Sequence, residues 1–148
     1  MKKILLIEED SDTYYFIDVL FEETRSIIIN LSGNFSLSKV VEILPDIILI
    51  NYHFEDDSGD TLCWKIKKDP RTGHIPVIMY SPIDLKKFSD LSLANAFIKQ
   101  DKSFNLLPDL VDSFASWIAA YNYQEAKLIF LKAENSFFNT SFVNGLGR

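Results

Sequence analysis

The chain has 148 residues, 47% of them apolar and 14% aromatic, which is enough material for one domain with a substantial core. Its net charge of −6 repels phosphate backbones and anionic lipid, so nucleic-acid or membrane-surface binding would need a local basic patch, and none stands out in the sequence. The longest apolar runs are four or five residues, the lone Cys63 has no partner for an internal disulfide, and the start MKKILLIEED carries no signal-peptide apolar stretch, so a soluble cytoplasmic protein is expected.

Taken in chain order, short apolar runs at Ile4 to Ile7, Ile27 to Ile29, Ile47 to Ile50, Val77 to Tyr80 and Ala96 to Ile98 are rich in β-branched or aromatic residues and predict five strands. Helical periods fall between them. Tyr14, Ile17, Leu20 and Phe21 share one face, as do Leu37, Val40, Val41 and Leu44, then Leu62 and Ile66, then Leu85, Phe88 and Leu91. A fifth helix carries Leu107, Leu110, Val111, Phe114, Ile118 and Tyr121 on one stripe, with Pro108 suited to its first turn. Residues 1–124 are expected to form the domain, and 125–148 a C-terminal extension without clear period.

Strand and helix therefore alternate, which implies a parallel sheet with helices on both faces. Ligands of such sheets bind beyond the carboxyl ends of the strands. The residues found there are Glu8, Glu9 and Asp10, then Asn51, Ser81 and Lys99. Adjacent carboxylates beside a hydroxyl and an ammonium group form a polar cluster, although strand ends meeting solvent would also be polar.

The order and spacing of these segments resemble the receiver domain of two-component response regulators from Lys3 to about Tyr121. LLIEED is similar to that family's first strand with its acidic pair, and Pro45 to Asn51 to its third strand up to the phosphoacceptor. Gly59 stands where the family has a glycine, Ile75 to Ser81 resembles the fourth strand with its hydroxyl residue, and Phe97 to Lys99 the fifth with its lysine. The resemblance implies a flavodoxin-like, doubly wound five-stranded parallel sheet of order 2-1-3-4-5 with helices on both faces. It also implies a pocket of Glu8, Glu9, Asn51, Ser81 and Lys99, and a Mg²⁺ site built from Glu9, Asn51 and the backbone carbonyl of His53.

The departures from that pattern carry the functional expectation. Asn51 replaces the acceptor aspartate, and an amide is not a nucleophile that can form the mixed anhydride of a carboxylate. It also offers Mg²⁺ a neutral oxygen, so any metal site is weakened. Glu55 and Gln100 replace the family's two prolines, and Ala96 its switch aromatic, while the neighbouring Phe97 should face the other side of the sheet. The expectation is a non-enzymatic module that works by protein contacts, with a histidine kinase, another regulator or a second copy of itself as partner. Competing readings are a phosphorelay receiver with Asp10 or Asp56 as substitute acceptor, and a small-molecule-binding flavodoxin-like protein. The acidic loop after the first strand opposes phosphate cradling in the latter.

Among the remaining residues, His53 is expected on a surface loop, with a metal or proton role as its sharper alternative. Glu55, Asp56 and Asp57 are expected to be solvated, and His74 to lie on the surface. Cys63, Trp64 and Trp117 are expected in or at the edge of the core. Phe137, Phe138 and Phe142 are expected to be buried, within the chain or in an assembly.

Overall fold

The computed structural model describes residues 1–32, 35–85 and 92–114. Five strands form one parallel sheet: β1 Lys2–Ile7, β2 Ser26–Asn30, β3 Ile47–Asn51, β4 Val77–Ser81 and β5 Ala96–Lys99, in the order β2-β1-β3-β4-β5. This is the expected flavodoxin-like order. Among the described residues α1 Ser11–Leu20, α2 Leu37–Ile43 and α3 Gly59–Lys68 connect β1 to β2, β2 to β3 and β3 to β4, a 3₁₀ helix, Lys102–Leu106, follows β5, and residues 107–114 are helical. The chain divides after Asp109, and the sheet and every residue of the site belong to the first unit. The expected helix around Phe88, the residues Ile118, Tyr121 and Trp117, the boundary at 124 and the phenylalanine-bearing tail lie outside the described residues.

Local chemistry sets the helix ends. Asp10 precedes α1 in extended conformation and accepts from Thr13 N at 2.9 Å, which satisfies an amide without a partner inside the helix. Ser58 does the same for α3, accepting from Thr61 N at 3.3 Å. Lys65, Lys67 and Lys68 crowd the last turn of α3, where positive charge complements the helix dipole. α2 ends at Leu44, which adopts a left-handed φ of 48° and is exposed, so Ile43 packs on the core in place of the Leu44 expected there.

The parallel register sorts the strand residues onto two faces with period two. Leu5, Ile7, Ile48, Ile50, Val77 and Met79 meet Val40 of α2 and Leu62, Cys63 and Ile66 of α3 in one core. Phe97 packs on that side, as its parity predicts. Ile4, Leu6, Leu49, Ile78 and Tyr80 point the other way and are fully buried, and Phe104 lies against Tyr80 while stacking on Phe16 of α1. Each such Ile or Leu contributes about 1.5–3 kcal/mol by leaving water. With both faces covered, the strands need unbroken apolar sequence, which is what made them legible.

Candidate functional site

Register carries Glu8, Asn51 and Tyr80 into one row. Ile7 pairs with Ile50 and Asn51 with Tyr80, so the residue after β1 and the ends of β3 and β4 present neighbouring side chains on the α1 side of the sheet. Glu8 is buried, with 1% of its surface exposed. Asn51 Nδ2 donates to both its oxygens, at 2.8 and 3.1 Å, the Tyr80 hydroxyl donates to Oε2, and Asp10 N donates to Oε1 at 3.0 Å. A buried carboxylate is costly unless its lone pairs are matched, and here donors from three segments match them.

The amide orientation of Asn51 follows from its partners. Its Oδ1 accepts from His53 N at 3.0 Å, so reversing the amide would set oxygen against the Glu8 carboxylate and hydrogen against a backbone N–H. Tyr80 responds in turn: burial, then the charge of Glu8 and the bond to it, push its phenol far above the ordinary range. Tyr80 was not anticipated as a site residue. It is the one polar-tipped residue in the run Val77 to Tyr80, but only the register reveals that its tip meets Glu8.

The other expected site residues are distributed around this row. Ser81, fully buried, has its Oγ 2.9 Å from His53 Nε2 and accepts from Ile83 N at 3.1 Å. His53 is thus exposed on the loop after β3, as expected, and its ring also bonds to Ser81. Lys99 is the register partner of Ser81 but is exposed, and its charge adds to the hydrogen bonds from Ser103 that hold the Asp101 carboxyl below the usual range. Glu9 is also exposed, its Oε2 3.4 Å from Glu55 N. Asp10 is engaged as the α1 cap, and its bonds from the Thr13 hydroxyl and amide hold its carboxyl below the usual range. Asp56 lines a separate cavity of about 200 Å³ with Glu9, Phe54 and Lys65.

Beneath the site, Gly59 lies against the chain after β3. A Cβ added there would fall 2.2 Å from the Asn51 carbonyl oxygen and 2.9 Å from Tyr52 Cα, so the position requires glycine. Its amide donates to Tyr52 O at 2.8 Å, fixing the loop that carries His53.

These residues do not fit a Mg²⁺ ion. Asn51 turns its amino group toward Glu8 and its oxygen toward a backbone N–H, so a cation beside Glu8 would meet amide hydrogens instead of a ligand oxygen. Among the described residues no group of three or more His, Cys, Asp or Glu side chains is placed to hold a metal.

The architecture defines a class first: a doubly wound α/β protein with its polar residues at the carboxyl ends of β1, β3 and β4. No family model matches the chain. Part of it is similar to the response regulator PleD of Caulobacter vibrioides, 39% identical over 54 residues, which are 36% of this chain and 12% of PleD. Another match is histidine kinase P4 of Formosa agariphila, 32% identical over 76 residues, or 51% of this chain and 6% of the kinase. The chain thus spans only a small share of these relatives. The crystal structure of the signal receiver domain of a DNA-binding response regulator from Colwellia psychrerythraea superposes with a TM-score of 0.65 at 20% identity, covering 78% of this chain and 99% of that one. The chain has the receiver fold of response regulators. Among the described residues no helix is long and apolar enough to cross a membrane.

Proposed function

We propose that this chain is a receiver-type signal-transduction module of the cytoplasm that acts through protein contacts and is not switched by aspartyl phosphate. The observation that supports this reading is the Asn51 amide donating to both oxygens of buried Glu8. At the acceptor position of the receiver pattern stands a side chain with no nucleophilic oxygen, and its amino group occupies the side of Glu8 where a cation would bind. Lys99 is exposed, and Ser81 is bonded to His53. The pocket is satisfied from within.

The similarity to a response regulator and to a histidine kinase supports a protein partner from a two-component chain, either a kinase or another regulator. The net charge of −6 disfavours a nucleic-acid partner. Incubation with acetyl phosphate and Mg²⁺, followed by intact-mass spectrometry, tests the reading. No mass gain is expected. A stoichiometric, hydroxylamine-sensitive gain of one phosphoryl group would overturn it and favour Asp10 or Asp56 as a substitute acceptor.

A further inference from the structure

The outward face of α3 does not behave as the core-edge surface expected of it. The helix buries Leu62, Cys63 and Ile66 and turns Thr61, Trp64, Lys65 and Lys68 to solvent, with Trp64 55% exposed. The lysines suit the end of a helix dipole, but nothing in the helix accounts for an indole in water. On the opposite side of the sheet, α1 exposes Tyr15 at 68%, Phe16 at 45% and Val19 at 47%. Beside them lies a depression of about 240 Å³ lined by Tyr15, Asp18, Val19 and Glu22, with no basic side chain in its lining. At about 30 Å³ per water molecule, it holds the space of about eight waters, enough for an indole ring.

We infer that the α3 face of one copy docks on the α1 face of a second copy, with Trp64 seated in the depression and Lys65 and Lys68 meeting Asp18 and Glu22. The two surfaces are complementary in charge and both carry aromatic residues. Lys65 and Lys68 are three residues apart on α3, while Asp18 of α1 and Glu22 of the turn that follows it line the same depression. Exposed tryptophan between charges is the composition of an interface anchor. Because the two faces differ and lie on opposite sides of the sheet, the contact is head-to-tail and a docked pair retains one free surface of each kind. The net charge of −6 repels whole molecules at a distance, but physiological salt screens beyond about 8 Å, whereas the docked pairs lie inside that length.

This inference does not depend on the signalling role. Sedimentation velocity and light scattering of the full chain, from about 10 μM to about 1 mM in physiological salt, should show a mass that rises with concentration and passes beyond dimer. The pairs Lys65→Glu with Lys68→Glu, and Asp18→Lys with Glu22→Lys, should each be monomeric, and an equimolar mixture of the two variants should associate again. Trp64→Ala should weaken association about tenfold or more. The α3 pair takes the net charge from −6 to −10. Ser38→Asp with Lys39→Glu, exposed on α2, takes it to −9 and should associate like the natural chain. Circular dichroism checks that each variant folds. A monomer throughout the range, unchanged association in the reversed variants, or a mixture that stays monomeric would overturn the inference.

Discussion

Asn51 donates both amide-to-carboxylate bonds that join β3 to the residue following β1, at 2.8 and 3.1 Å from the two oxygens of Glu8. A neutral side chain thereby provides the positive potential that a buried carboxylate needs, and it does so with the backbone of His53 holding its other end.

Asn51→Asp should therefore destabilise the protein. It removes a donor from a buried acceptor and places a second carboxylate about 6 Å or less away, a repulsion of roughly 3 kcal/mol at an effective dielectric near 20, reduced by relaxation and screening. A net loss of about 1 to 3 kcal/mol is expected in thermal melts without metal. Adding about 10 mM Mg²⁺ should recover part of that loss, since the cation binds only the folded form. Equal stability of the variant and the natural protein would show that the amide is not what sustains Glu8.

Tyr80 couples the site to alkaline pH. Its phenol has a folded-state pKa raised well above the ordinary 10.0, so the stabilisation is complete below pH 10 and is lost as pH rises from there toward the folded value. One such group contributes a fall in unfolding free energy of about 1.4 kcal/mol per pH unit above 10. Tyr80→Phe should lose that component of the slope and cost about 1 to 3 kcal/mol at neutral pH, because Glu8 loses a donor. Denaturant titrations of both proteins from pH 8 to 11 measure the difference.

Gly59→Ala sets two effects against each other. Alanine in a helix gains about 1 kcal/mol over glycine, but the new methyl group would overlap the Asn51 carbonyl oxygen at 2.2 Å, and overpacking against backbone costs about 1–3 kcal/mol or more. The clash should win, lowering the melting temperature and shifting the amide resonances of Asn51 and Tyr52. An unchanged or raised melting temperature would contradict the close approach.

Cys63 is fully buried, and burial pushes its thiol up to about 11 from 9.0. Two units reduce the thiolate at pH 8 about a hundredfold, and steric exclusion adds to that. Alkylation by iodoacetamide should thus proceed only as fast as the domain opens. Rapid labelling in native buffer at pH 8 would show that α3 is not packed as described.

How much of this was legible in the sequence depended on range. The five strands stood out because burial on both faces demands unbroken apolar runs, whereas the hydrogen bonds by which Asp10 and Ser58 cap the starts of α1 and α3 came from the structure. Periodicity puts Leu44 on the apolar stripe of α2 because it does not register where a left-handed turn ends a helix. Trp64 reads as core edge in the sequence for a similar reason: it lies between buried Cys63 and Ile66, and a short helix leaves its outer stripe ambiguous until the sheet direction is known.

The site divides along the same line. Sequence alone determined the type of fold and placed the ends of β1, β3, β4 and β5 to within one residue, since those follow from local pattern and strand length. It also determined that residue 51 is an amide. Only the tertiary structure decided which polar groups meet: Tyr80 with Glu8, and His53 with Ser81. A one-residue change of register would turn Tyr80 to the opposite face, and register is set by packing across strands as much as 72 residues apart in the chain.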